Sequence, residues 1–282
     1  MKLVRFGEPG HEKPGLLDSQ GTIRDLSAHI PDIDGRTLGA ETIARFKSLD
    51  PSSLPAAPKG ARLGAPVGDV RNYMAIGLNY ADHAAEAGLR VPREPVIFNK
   101  IGNCIVGPND NIMMPRDCQK LDYEVEIGFV ISKRARYVEE ADAMDYIAGY
   151  LCCNDVSERH FQTERSGQWV KGKAAETFGP LGPWLVTPDE VGDVNNLAMW
   201  LNVNGERRQT GSTSTMIFKI PYILSYMTRF MVLEPGDVVA TGTPPGVALG
   251  MKEPKWLQAG DVITLGIDKL GEQRSVVVDF KL

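Results

Sequence analysis

No apolar run in this 282-residue chain approaches the length needed to cross a bilayer, so no membrane-spanning helix is expected. Basic residues are in the minority. With 31 Lys and Arg against 36 Asp and Glu, the formal charge is −5, and a sequence-independent nucleic-acid surface, which needs a basic stripe, is not expected either. Cysteine is scarce: Cys104, Cys118, Cys152 and Cys153 form no C-x-x-C pair, and adjacent Cys152 and Cys153 read as small core residues on opposite faces of a strand. Neither G-x-G-x-x-G nor G-x-x-x-x-G-K-[ST] occurs, which leaves dinucleotide and P-loop readings without support. No repeat at solenoid periods is visible. The opening Met1–Gly7 has no apolar h-region, and a reducing, cytoplasmic location is expected.

What the sequence does contain is a series of short strand-like runs. Leu3–Phe6, Gly15–Leu17 and Thr22–Leu26 alternate with turns, and a helix is expected over Ala40–Phe46. The Pro- and Ser-rich stretch Pro51–Gly60 reads as a linker, placing a boundary near Val70 between a small N-terminal domain (1–69) and a larger domain (70–282). Asn204-Gly205 between two strand-like runs is a hairpin signal. Further strands are expected at Asp237–Thr241, Asp261–Leu265 and Ser275–Val278, and apolar residues at helical spacing predict helices over Val138–Ile147 and Ile220–Met231. With no regular βαβ alternation, the pattern is that of a β-rich α+β protein.

The run Asp122-Tyr123-Glu124-Val125-Glu126-Ile127-Gly128-Phe129-Val130 carries the clearest chemical signal. Side chains at i and i+2 of a strand share a face, so Glu124 and Glu126 converge, with no Lys or Arg between them. Two bare buried carboxylates repel, and a hard divalent cation with oxygen ligands resolves the conflict. Asp155 lies where the apolar run Tyr150–Cys153 ends in a polar turn, and is the expected third ligand. Glu-x-Glu alone is more often the polar side of an edge strand, so the neighbouring segments matter.

His83 and Glu86 stand at i and i+3 of a short helix that Asn79 is expected to cap, a spacing shared by solvated pairs and by a base with its orienting carboxylate. Ser157 looks like the start of another helix, with Arg159 and Gln162 on one face near Asp155. Lys171-Gly172-Lys173 offers two lysines in a mixed context. Thr241-Gly242-Thr243-Pro244-Pro245-Gly246 ends a strand in a rigid turn of small side chains that can bring N–H groups against a carboxylate or enolate oxygen.

Taken together, Gly77–Glu86, Asp122–Glu126, Asn154–Gln162, Lys171–Lys173 and Thr241–Val247 resemble the fumarylacetoacetate hydrolase family, in that family's order, from about Arg71 onward. The resemblance implies a mixed β-roll core and a Mg²⁺ site (Mn²⁺ or Ca²⁺ as substitutes) at Glu124, Glu126 and Asp155. It implies His83, Glu86 and Lys173 as catalytic residues, with Lys173 chosen over Lys171, and Tyr80, Arg159, Gln162, Gly242 and Thr243 as substrate contacts. Larger relatives use a fourth carboxylate, for which no clear equivalent is found. The helix bearing His83 is expected to act as a lid. The implied reaction is metal-dependent hydrolysis of a C–C bond in a 2,4-diketo acid, with water activated by His83. Within the family, the likeness is greatest to bacterial hydrolases of 2,4-diketo-3-deoxy sugar acids, often labelled ureidoglycolate lyases. That implies conversion of 2,4-diketo-3-deoxy-L-rhamnonate, or the L-fuconate-derived equivalent, to pyruvate and L-lactate. Acylpyruvate or fumarylpyruvate hydrolysis, oxaloacetate decarboxylation, hydroxymuconate-type isomerisation and a non-catalytic metal-binding role stand as alternatives. A homodimer is expected.

Overall fold

The structure, a computed structural model, describes residues 1–86 and 90–281, with the backbone alone for 83–85. Its centre is the strand Val125–Ile131, buried along its whole length. It pairs antiparallel with Ile147–Asn154, equally buried, on one side and with Val238–Ala240 on the other. Strands covered on both faces read as near-continuous apolar runs, as both of these do. Val238–Ala240 then pairs in parallel with Tyr73–Gly77, and Tyr73–Gly77 pairs antiparallel with Val96–Lys100. A second sheet joins Glu206–Ser212, Ala198–Val203, Val262–Ile267, Gly271–Val278 and Ile112–Met113, the last pair parallel. The β-rich, mixed-sheet α+β fold expected from the sequence is present.

The N-terminal strands extend the main sheet. Lys2–Phe6 pairs with Lys13–Leu17 and also with Leu185–Val186, which joins the 1–69 segment to the central strands. Helix Ala40–Lys47 falls where expected. The hairpin turns at Asn204 and Gly205, with φ of 51° and 80°, the left-handed pair that a two-residue turn matching strand twist requires. Two helical expectations change form. Ile220 begins an α-helix that stops at Met227, and Val138–Ile147 holds a 3₁₀ helix, Glu140–Tyr146. In that segment Ala143 and Tyr146 are three residues apart, the spacing that a three-residue turn stacks on one side.

Candidate active site

The sheet register builds the carboxylate cluster. Glu126 is opposite Cys153, and Val125 is opposite Asn154. One step beyond, the Asp155 N–H donates to the Glu124 carbonyl at 2.9 Å, and the Asn154 side-chain oxygen accepts from the Glu124 N–H at 3.1 Å. This fixes the backbone on either side of Glu124, Glu126 and Asp155, all three buried, with one oxygen from each within 4.8 Å of the others.

Three buried cations surround them. Arg159 donates from Nε to Asp122 Oδ2 at 2.9 Å, from Nη2 to Glu124 Oε1 at 2.6 Å, and from Nη1 to Gln162 Oε1 at 3.0 Å. Lys173 Nζ bridges Glu124 Oε2 (2.6 Å) and Asp155 Oδ2 (2.7 Å). Lys100 Nζ holds the other oxygen of Asp155 at 2.5 Å and reaches the Val156 carbonyl. Against Arg159, Lys173 and Lys100 stand four carboxylates, Asp122, Glu124, Glu126 and Asp155, an excess of one negative charge.

That excess falls on Glu126, which has no ion-pair partner among the described residues and accepts from the Gly242 N–H at 2.8 Å. Burial, reinforced by the Asp155 and Glu124 carboxylates, pushes its carboxyl well above the ordinary carboxylate range. Burial works against the Lys173 ammonium, but the Asp155 and Glu124 carboxylates override it and hold the group protonated. The donor set fits a hard divalent ion: three carboxylate oxygens converge, and with Glu126 ionised the cluster holds one negative charge in excess of its cations. A dication would turn the excess of one negative charge into one positive, a field suited to an anionic substrate.

Glu124, Glu126, Arg159, Gln162, Lys173 and the Gly242–Thr243 turn line one cleft enclosing about 500 Å³ of free space, part of it open to solvent. Asp155 lies behind them, tied to both lysines. Gly242 has φ of 99°, and a Cβ there would come within 2.8 Å of the Asn79 Cβ, so the turn that feeds its N–H to Glu126 requires glycine. Thr243 donates to the Val125 carbonyl and accepts from the buried Gln209 amide. Glu86 comes to the far end of the same turn, where both its oxygens accept from the Gly246 N–H at 2.9 and 3.1 Å. The helix Ala81–Glu86 is present. The His83 side chain lies outside the described residues.

Three expectations are corrected. Tyr80 is not brought to the cleft: it is buried in the core, its hydroxyl on Met199 Sδ at 3.4 Å and its backbone bridged to Met216. Asn79 does not cap the following helix, because its carboxamide binds the Phe218 and Thr241 carbonyls and the Phe218 N–H. The helix expected to start at Ser157 begins at Arg159, capped by the Glu158 carboxylate, which accepts from the Phe161 N–H. Arg159 and Gln162 do line the cleft, yet all three guanidinium nitrogens are engaged within the cluster.

Two buried residues escaped the sequence reading. Lys100 was visible only as every second residue after Phe98 on a strand, facing the same way. Asp122 precedes Glu124 by two and continues that acidic face. It takes the Ala248 and Leu249 N–H groups along with Arg159.

A mixed, β-rich fold that buries converging carboxylates among cations, under an open cleft, defines a site for an anionic ligand with a place for a metal ion. A family model described as fumarylacetoacetate (FAA) hydrolase C-terminal matches residues 72–278. The chain belongs to the fumarylacetoacetate hydrolase family. A curated relative from Burkholderia cenocepacia, named "Putative hydrolase", is 54% identical over 274 residues, 97% of each chain. The structure of a fumarylacetoacetate hydrolase from psychrophilic Exiguobacterium antarcticum matches with a TM-score of 0.87 at 37% identity, covering 99% of this chain and 100% of that one. A maleylpyruvate hydrolase from Sphingobium sp. SYK-6, solved with manganese(II) and pyruvate, matches with a TM-score of 0.82 at 29% identity over 100% of both chains. A 5-carboxymethyl-2-hydroxymuconate delta-isomerase from Mycobacterium smegmatis does so with a TM-score of 0.79 at 31% identity, again over 100% of both.

Proposed function

We propose that this protein is a divalent-metal-dependent hydrolase that cleaves the C3–C4 bond of a 2,4-diketo acid. The observation that carries the reading is the buried Glu124–Glu126–Asp155 cluster with Lys173 on its edge, opening on a cleft. When bound at the three carboxylates, Mg²⁺ or Mn²⁺ supplies Lewis-acid stabilisation to a keto-acid oxygen. The remaining work belongs to the side chains. Lys173, held protonated, donates toward charge developing on the substrate. Gln162, its oxygen occupied by Arg159, offers its amide N–H₂ to a substrate oxygen. His83 takes the proton of the attacking water, and Glu86, anchored on Gly246, orients it. The balance is R–CO–CH₂–CO–COO⁻ + H₂O → R–COO⁻ + CH₃–CO–COO⁻ + H⁺.

From the sequence resemblance to bacterial hydrolases of 2,4-diketo-3-deoxy sugar acids, we infer that the substrate is 2,4-diketo-3-deoxy-L-rhamnonate, or the L-fuconate-derived compound, giving pyruvate and L-lactate. Product NMR with Mg²⁺ or Mn²⁺ and with EDTA tests this. Pyruvate and lactate formed only with metal support it. Carbon dioxide release or an isomer of unchanged composition refutes hydrolysis and moves the reaction to decarboxylation or isomerisation. We also propose a cytoplasmic homodimer. All four cysteines are free, as a reducing compartment keeps them, and among the described residues no helix is long and apolar enough to cross a membrane. Light scattering on the purified chain tests the dimer, and a monomer at micromolar concentration refutes it.

A further inference from the structure

The lining of the cleft is of two kinds. Its charged side chains, Glu124, Glu126, Arg159 and Lys173, lie together at one end. The cleft is also lined by apolar side chains, Ile76, Leu78, Phe98, Trp169 and Leu249. Phe98 and Trp169 meet edge to face, ring centres 5.2 Å apart at 65°, and form a corner against which a planar or alkyl group can lie. Gly77 makes room for this corner: a Cβ there would come within 2.4 Å of the Trp169 ring. Lys173 Nζ is 5.2 Å from the Phe98 ring centre, so the aromatic corner begins where the charged cluster ends.

No cation among the described residues lining the cleft is left over for a second carboxylate. Arg159 engages its nitrogens on Asp122, Glu124 and Gln162, and Lys173 engages two of its three N–H groups on Glu124 and Asp155, leaving one for the keto-acid end. Arg90 and Arg93, the basic residues just before the strand that carries Phe98, are exposed and do not line the cleft. A charged group placed on the apolar wall would lose its hydration with nothing to replace it.

Resting on the hydrolase reading above, we propose that the cleft selects 2,4-diketo acids whose acyl end is uncharged and apolar, bound on the Phe98–Trp169 corner with the keto-acid end at the carboxylate cluster. A straight-chain or aryl acyl group fits this wall, and so does the methyl-terminated end of a 6-deoxy sugar acid. A second carboxylate, as in fumarylpyruvate, does not.

The test measures kcat/KM with Mn²⁺ for acetyl-, hexanoyl-, benzoyl- and fumarylpyruvate in the wild type, Trp169→Ala and Trp169→Phe. Each methylene buried on the wall is worth up to roughly fourfold, so hexanoylpyruvate should exceed acetylpyruvate by about tenfold or more. Fumarylpyruvate should fall below acetylpyruvate. The hexanoyl-to-acetyl ratio should collapse toward one in Trp169→Ala and be largely restored in Trp169→Phe. Fumarylpyruvate as the best substrate, or a ratio untouched in Trp169→Ala, overturns the proposal. Calorimetric binding of hexanoate and fumarate to the Mn²⁺-loaded protein reads the same preference without turnover. If none of the four pyruvates is cleaved, hydrolysis of simple acylpyruvates is refuted and the hydrolase reading rests on the sugar acid, while hexanoate binding at least tenfold tighter than fumarate still supports the wall; the reverse order overturns it.

Discussion

Replacing Lys100 by methionine keeps the length and shape of the side chain and removes one buried positive charge. In the native cluster this ammonium satisfies one oxygen of Asp155 and helps offset four carboxylates. Removing one partner of a buried pair costs about 3–5 kcal/mol, because the other charge stays buried without it. For a chain of this size each kcal/mol moves the melting temperature by about 2–4 °C, so the metal-free variant should melt on the order of 10 °C below the wild type. Two effects then compete on metal binding. Loss of one hydrogen bond to Asp155 loosens a ligand by about 1 kcal/mol, and Lys173 Nζ and the Asp155 N–H still hold that residue. Loss of the cation makes the site more negative by one unit, and a charge about 4 Å away is worth about 4 kcal/mol at an effective dielectric of 20. The charge term wins. Lys100→Met should therefore be destabilised in EDTA, bind Mn²⁺ more tightly, and gain more melting temperature from Mn²⁺ than the wild type does. Thermal melts with EDTA and with Mn²⁺, with calorimetric titration of the metal, decide it. A variant that melts within about 2 °C of wild type in EDTA, or binds Mn²⁺ more weakly, would refute the charge ledger of the site.

Glu126 makes metal binding pH-dependent. Its carboxyl is raised in the folded state, so its contribution to metal-free stability is present below the ordinary value of 4.5 and is lost as pH rises through the folded value. A metal needs the carboxylate, so the melting-temperature gain from Mn²⁺ should grow as pH rises above the ordinary carboxylate range and flatten in Glu126→Gln; a pH-independent gain in the wild type contradicts this. Tyr80→Phe should leave kcat/KM unchanged and cost at most about 1 kcal/mol, since only the contact with Met199 Sδ is lost; a tenfold drop in kcat/KM would return Tyr80 to the substrate site. Gly242→Ala should destabilise by about 1–3 kcal/mol and weaken Mn²⁺ binding, because the strained turn withdraws its N–H from Glu126; unchanged titration curves would show that this N–H does not matter.

The parts of the site legible in the sequence are those whose geometry is local. Glu124 and Glu126 share a face because strand period is fixed, and the Asn204-Gly205 turn follows from backbone angles that few residues accept. Asp155 was legible as the polar end of an apolar run. What local rules miss is competition from distant partners. Asn79 has the chemistry of a cap, yet its carboxamide is taken by Phe218 and Thr241, more than a hundred residues away. The helix starts two residues after Ser157 because Ser157 and Glu158 pair as a strand with Leu121–Asp122, and the Glu158 side chain, which caps the helix, also gathers the Gln119 and Lys120 N–H groups. Lys100 carries no signature of its own, because its partner is 55 residues further on. Tyr80 sits in a motif whose likeness to the family suggested the cleft, and the strand packing around Met199 turns its ring inward.

The antiparallel pairing of Val238–Ala240 with Val125–Ile131 also sets a schedule for making the protein. The edge of Val125–Ile131 that Val238–Ala240 covers stays bare until the ribosome has moved far past it. The contact between Glu126 and Gly242 alone spans 116 residues. At roughly 5–20 residues per second, that separation takes roughly 6–23 s to synthesise. For that interval the strand edge at Gly128–Val130 is available to any other nascent chain, and a message truncated before residue 238 leaves it open permanently. Synthesis of this fold in quantity therefore depends on what shields that edge while translation continues.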